Sequence, residues 1–225
     1  MATPQIIAHR GASRERPENT LAAFQRAAEL GADAVELDVH RTSDGVIVVH
    51  HDPLLADGRE IRGVTAGQVA SLRVRGEPIP TLEAVLAAVG GSLAVYCELK
   101  GRDTTAGTLA LLTRPGATPQ GGAVHAFDHR LIAEARGIAP LMPRGVLEVS
   151  YPLEPVYAAA AVDARDLWRQ SEYVDEALVR VAHAAGVRVI AWTVNDAATM
   201  TRFAAIGVDG LCTDDVALAR RTLER

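Results

Sequence analysis

Lysine is nearly absent from this chain of 225 residues: of 23 basic residues, Lys100 is the only lysine and all the others are arginine. Cysteine is almost as scarce. Cys97 and Cys212 are the only two, both inside apolar strand-like runs. They read as buried thiols, without the spacing of a zinc site or a disulfide framework. No apolar run approaches the ~18 residues of a membrane span. The first strand-like run starts within a few residues of Met1, so no cleavable leader is expected and a cytoplasmic location is the default. Excess positive charge is missing too. A net charge of -5 argues against a nucleic-acid or anionic-membrane binder. The turn after the first apolar run, HRGASRERP, contains no G-x-G-x-x-G, which weighs against an open dinucleotide-binding sheet. Linkers and low-complexity tracts are also lacking. With 48% hydrophobic and 23% charged residues, the chain reads as one globular domain over 1–225.

A unit of helix, glycine and apolar strand recurs in LAAFQRAAELGADAVELD, ALVRVAHAAGVRVIAWTVN and TMTRFAAIGVDGLCTD. Gly31, Gly186 and Gly207 fall where each helix should end in a left-handed turn before the next strand. Leu82, Val85, Leu86 and Val89 mark one amphipathic helix, and Leu178, Val181, Ala182 and Ala185 another. The strands are short and nearly continuously apolar, as parallel strands covered by helices should be. Eight candidates follow in order: IIAH, AVELDV, LAVYCEL, AVHAF, RGVLEV, ARDLW, RVIAWTV and DGLCT. Each precedes a plausible helix, which predicts an α/β fold of the (β/α)8 TIM-barrel type, with a doubly wound sheet as the competitor. A ninth run, VIVVHH, follows strand two through Thr-Ser-Asp-Gly, too short for a crossover. It predicts a small β-hairpin projecting above strand two, which returns His51 to the level of Asp38.

Active sites of such barrels lie at the C-terminal strand ends. His9 and Arg10 end strand one, Glu36 and Asp38 end strand two, and Glu98 and Lys100 end strand three. The two-residue spacing aims both members of each carboxylate-bearing pair into the mouth, while Val35, Leu37 and Val39 face the helices. Three converging carboxylates would repel one another unless a cation sat among them. Oxygen donors favour a hard ion, Mg2+ or Ca2+. With Arg10 and Lys100 around the same point, the site suits an anionic substrate, most naturally a phosphate. His9 and His51 are placed to act as general acid and base.

The pattern HRG, PENT, ELD, DG, HHDP, ELK and WTVND, running on to GVDGLCTDD, resembles the glycerophosphodiester phosphodiesterases, within the phosphatidylinositol-phospholipase-C-like barrels. The resemblance covers essentially the whole chain. It implies a metal-dependent barrel enzyme that hydrolyses a small-molecule glycerophosphodiester to glycerol 3-phosphate and an alcohol. It implies His9 and His51 as the acid/base pair and Glu36, Asp38 and Glu98 as ligands of one divalent cation. Arg10 and Lys100 become phosphate contacts, Glu18 a brace for the strand-one loop, and Trp192 an aromatic wall of the substrate site. Two stretches depart from the pattern. The segment after HDP is trimmed to PLLADGREIRG, and a strand-four motif that is usually Ser-Ser-Phe-Asp is here His125-Ala-Phe127-Asp.

Plainer roles are expected for the neighbouring residues. His50 points away from His51 in any strand and is structural. Asn19 is expected to cap the first helix, and Asp214 and Asp215 the last. Trp192 fits barrel packing as well as a substrate wall. His125 is expected at the pocket rim, and His40, His129 and His183 receive no role. A lapsed, non-catalytic phosphodiester-binding barrel is disfavoured because no histidine or carboxylate of the set is missing. The runner-up is a lysophospholipase D acting on a lysolipid, with Leu54 and Leu55 as its only candidate lipid contact.

Overall fold

Short apolar runs separated by helices become parallel strands in the computed structural model, which describes residues 3–223. The barrel strands are β1 (Gln5–His9), β2 (Ala34–Arg41), β6 (Ala94–Leu99), β7 (Gly122–Ala126), β8 (Arg144–Glu148), β9 (Asp166–Gln170), β10 (Arg188–Trp192) and β11 (Gly210–Thr213). Each pairs in parallel with its neighbours in that order, and β1 pairs with both β11 and β2, so the sheet closes. Outside it lie α1 (Leu21–Glu29), α3 (Leu82–Val89), α4 (Thr105–Leu112), α5 (His129–Ile138), α6 (Tyr157–Ala161), α7 (Glu176–Ala184), α8 (Ala197–Ile206) and α9 (Val216–Leu223). The expected (β/α)8 barrel is the observed fold. Gly31, Gly186 and Gly207 have φ of 77°, 73° and 85°, the left-handed geometry expected after their helices.

Period-two alternation divides the core into two shells. Ile7, Ala34, Tyr96, Leu147, Trp168, Ile190 and Cys212 fill the barrel interior. Val35, Leu37, Val39 and Cys97 face outward, in the layer with Phe24, Leu82 and Val85 of the helices. Each fully buried Leu or Phe there contributes about 1.5–3 kcal/mol. The N-terminal end of the barrel is closed by polar contacts. Tyr96 Oη and Arg188 Nη2 donate to Gln5 Oε1 at 2.9 and 3.2 Å, and Arg165 pairs with the buried Asp166 at 2.6 Å.

The hairpin forms as expected, with β3 (Ile47–Val49) antiparallel to β2 in the register Val39↔Val49. Gly45, at φ 89°, and a hydrogen bond from Thr42 Oγ1 to Asp44 at 2.6 Å make the turn. It does not stand free. The following segment, with α2 (Ala66–Ala70) and the small pair β4 (Arg73–Val74) and β5 (Glu77–Pro78), folds onto it. Val48 packs there with Leu55, Ile61, Val64, Val69 and Ile79. Leu55 is only 3% exposed, so it is core rather than a lipid contact.

The sixth barrel strand is displaced from its expected place. Sequence hydrophobicity marks Ala164–Trp168, whereas β9 runs Asp166–Gln170. The run ends too early by hydrophobicity because Arg169, fully buried in the strand, is neutralised by Glu148 on β8.

Candidate active site

Strand register brings the polar residues to one level. Glu36 lies beside His9, and Asp38, Glu98 and His125 stand abreast on β2, β6 and β7. The sharp exit from β1 needs backbone freedom. Arg10 has φ 55° and Gly11 φ 84°, and a Cβ on Gly11 would lie 2.7 Å from the Ala23 backbone. That turn points the Arg10 amide at Glu36 Oε2, 3.2 Å away, and lets the guanidinium reach Asp38 at 3.2 Å and Glu18 at 3.0 Å. Glu18 therefore braces Arg10.

Asn19 departs from expectation. Thr20 caps α1, accepting from the Ala23 amide at 3.2 Å. Asn19 sits one residue earlier at φ 57°, buried, and donates Nδ2–H to Asp38 Oδ2 at 2.8 Å. A left-handed residue cannot serve as an extended N-cap, so its amide is free to orient a carboxylate. Asp38 is thus fixed by Asn19 and Arg10, with Lys100 Nζ 3.5 Å from Oδ1. Burial pushes its pKa up, but Lys100 and Arg10 outweigh burial and hold it below the ordinary range. Lys100 also donates to Glu98 Oε1 at 2.9 Å. Burial lowers the lysine pKa, yet Asp38 and Glu98 raise it overall, so it stays an ammonium.

Asp214 also departs. Only Asp215 caps α9, accepting from the Leu218 amide at 2.8 Å. Asp214 turns inward, with Oδ1 2.7 Å from His9 Nδ1 and 2.9 Å from Ser13 Oγ, and Asn195 Nδ2 holds its Oδ2 at 2.6 Å. Burial lowers the His9 pKa, but the Asp214 hydrogen bond and the Glu36 charge outweigh it and raise the value above the ordinary one. Burial opposes ionisation of Asp214, yet His9 draws its pKa down to about 2.

His51 follows the hairpin, its side chain 37% exposed and its Nδ1 2.8 Å from Asp52 Oδ1. His40, without a role in the sequence reading, places a ring nitrogen 3.1 Å from the His51 carbonyl and anchors that backbone. Burial lowers its pKa despite that bond, so His40 is neutral and donates from Nε2. Trp192 is half-buried and meets Phe127 edge-to-face at 5.6 Å. Beside Lys100 a cavity of about 490 Å³ opens, lined by His40, Arg41, Pro53, Arg62 and Arg102 among others. Its lining also includes Glu60, which pairs with Arg62, and Asp103, so basic side chains outnumber acidic ones there.

Two features fit a cation. Asp38 Oδ1 is buried without a hydrogen-bond partner. Glu36, Glu98 and His125 each offer a donor atom within 4.8 Å of the others, and Asp38 stands outside that triangle. Burial and the Asp38 charge push Glu98 up to about 7, because the ammonium of Lys100 alone does not neutralise the group. His125, expected at the rim, is instead buried at 1% exposure against the Trp168 ring. The resemblance to WTVND and GVDGLCTDD held the signal for Asn195 and Asp214. No spacing rule separates a metal-facing His125 from a packed one.

Comparison with known proteins agrees with this geometry. The glycerophosphoryl diester phosphodiesterase family model matches residues 9–218. A glycerophosphodiester phosphodiesterase of Caldanaerobacter subterraneus subsp. tengcongensis is 32% identical, over 93% of each chain. A phosphodiesterase from Oleispira antarctica, solved in complex with the product sn-glycerol-3-phosphate, superimposes with a TM-score of 0.91 at 26% identity, over 99% of this chain and 98% of that one. The glycerophosphodiester phosphodiesterase of Thermotoga maritima gives a TM-score of 0.85 at 27% identity, over 98% and 99%. Among the described residues no helix is long and apolar enough to cross a membrane. With barrel, strand-end histidines and clustered carboxylates all in place, the chain belongs to the glycerophosphoryl diester phosphodiesterase family and is an enzyme of that class.

Proposed function

We propose that the chain hydrolyses glycerophosphodiesters to glycerol 3-phosphate and an alcohol, with His9 and His51 exchanging the protons. The observation that carries this reading is the Asp214–His9 contact beside Glu36 and Arg10. Asp214 occupies His9 Nδ1, which leaves Nε2 as the atom that can give or take a proton in the mouth. Asp52 engages His51 Nδ1 in the same way. Arg10 and Lys100 present positive charge to the phosphodiester, and Trp192 with Phe127 walls the mouth. Glu36 and Glu98, with Asp38 through the Oδ1 that makes no hydrogen bond and lies 3.5 Å from Lys100 Nζ, hold one divalent cation. Oxygen donors taken alone suit Mg2+ or Ca2+. When bound, that ion supplies Lewis-acid polarisation of the phosphoryl oxygens. The product held by the Oleispira antarctica relative supports glycerol 3-phosphate as the phosphate-bearing product.

The test is a panel of glycerophosphodiesters and lysolipids incubated with purified protein and a divalent cation, with glycerol 3-phosphate measured enzymatically and lysophosphatidic acid, the phosphate-bearing product from a lysolipid, measured by mass spectrometry. Release from at least one glycerophosphodiester is expected. Failure across the panel overturns the reading.

Lysophospholipase D-type hydrolysis is favoured by one observation. Phe127, Val149, Tyr151 and Leu153 are exposed on the loops that follow β7 and β8, at the mouth. This apolar rim adds to Leu54, which is exposed, whereas Leu55 is buried. Lysolipid turnover exceeding that of water-soluble diesters in the same panel would select it.

A further inference from the structure

We infer that His125 is a nitrogen ligand of the metal site, so that this enzyme prefers a borderline ion such as Co2+, Fe2+ or Zn2+ over Mg2+ and Ca2+. This inference rests on the reading that the barrel mouth holds a divalent cation, and it changes the donor set.

The geometry is specific. His125 is level with Glu98, which is level with Asp38, so the imidazole enters the row of carboxylates from the next strand. It is 1% exposed, out of reach of bulk water. Its Nδ1 has no hydrogen-bond partner, and Nε2 stops 3.6 Å from Glu36 Oε1, beyond a hydrogen bond. A buried polar side chain without proper partners is unusual and calls for an explanation, such as an ion. The ring is also held in place. It stacks on Trp168 with centroids 4.2 Å apart and planes 12° apart, and Trp168 meets Tyr96 edge-on. Room for Trp168 comes from Gly145, where a Cβ would lie 2.7 Å from the indole. The stack leaves the imidazole little freedom except towards Glu36 and Glu98.

The bland alternative is an imidazolium that serves as counter-ion to those two carboxylates. The two readings differ in ion selectivity. An imidazole donor adds affinity along the series from Mn2+ to Cu2+ and adds little for Ca2+ or Mg2+, which take oxygen. A counter-ion would favour no ion over another.

The experiment uses chelator-treated full-length protein, titrated separately with Co2+, Ca2+ and Mg2+ by calorimetry. The Co2+-loaded protein is then examined by proton NMR for a hyperfine-shifted imidazole N–H. Co2+ should bind at least about tenfold more tightly than Ca2+ or Mg2+, and the shifted resonance should be present. His125→Ser should lose about 10- to 100-fold in Co2+ affinity, at least what an outer-shell change costs, with Ca2+ affinity nearly unchanged. Equal losses for all three ions, no shifted imidazole resonance, or no binding of any ion would overturn the inference. If His125→Ser does not fold, the wild-type spectrum decides, because a His125 resonance must persist in His9→Ala and His51→Ala proteins. The diester panel run on the same samples keeps the readings apart. Nitrogen ligation without hydrolysis sinks the proposed function alone, and hydrolysis without nitrogen ligation sinks only this inference.

Discussion

Asp214 Oδ1 lies 2.7 Å from His9 Nδ1, joining the last strand end to the first across the seam where the barrel closes. The contact orients the imidazole and favours its charged form. The raised His9 pKa contributes stability that is fully present below the ordinary histidine value and lost as pH rises through the raised one. The low Asp214 value contributes stability that is lost as pH falls towards about 2. Asp214→Asn removes both. The limb of the pH–rate profile that reports His9 should move to lower pH, with turnover falling about 10²-fold or more. A profile that drops in height without moving would show that Asp214 only positions the ring.

His51→Ala should lower turnover by about 10²- to 10⁴-fold with the fold retained by circular dichroism. His50 donates its backbone amide to the Asp38 carbonyl at 3.0 Å and has no part in the proposed proton transfer, so His50→Ala should cost far less. Equal losses in steady-state kinetics would mean that the roles of the two neighbours are reversed.

Chelation should abolish activity and lower the melting temperature, because carboxylates at the mouth lose their neutralising ion. Restoring a divalent cation to a hundredfold excess over its dissociation constant adds about 2.7 kcal/mol of stability. Thermal denaturation with and without added ion measures it, and an unchanged melting temperature with full activity in metal-free protein would refute the cation's role.

Lys100 is the sole lysine, so acetylation reaches only it and the amino terminus. Acetylation should abolish turnover, and a glycerophosphate product analogue should protect. Lys100→Arg should fold yet turn over at least about tenfold more slowly, roughly 1.4 kcal/mol in the barrier, because the planar fork is larger than the ammonium it replaces. A fully active variant would mean that the compact cation is not required.

Arg169 and Glu148 form a buried pair away from the site, between barrel and helices, and Arg169 also donates to the Pro155 carbonyl at 3.1 Å. Glu148→Gln leaves the guanidinium without its counter-charge and should cost about 3–5 kcal/mol in a urea unfolding series. Replacing both by leucine should cost much less. Similar losses for the single and double variants would disprove the coupling.

What sequence makes legible here follows from periodicity and from charge at strand ends. Alternation placed Glu36 and Asp38 on the inner face and Leu37 on the outer, and each glycine turn marked its strand. Asn19, His40 and Asp214 carry only local signals in the sequence because their partners are distant in the chain. Asn19 is 19 residues from Asp38, and Asp214 is 205 from His9. A local rule such as helix capping wins by default when a long-range contact has no periodic signature. Arg169 fails for the converse reason, since a charged residue interrupts an apolar run whether or not a partner neutralises it.

The polar floor of the barrel, where Gln5 accepts hydrogen bonds from Tyr96 and Arg188, leaves the bore, among the described residues, with its opening at the opposite end. Above that floor Trp168, Ile190 and Leu147 fill the bore. Reactant and both products must therefore pass through one opening, and the second product to leave holds the threshold against the next substrate. Release order becomes a control on throughput. With Arg10 and Lys100 holding the phosphate as proposed, the anionic fragment is the one that should depart last and compete with fresh diester.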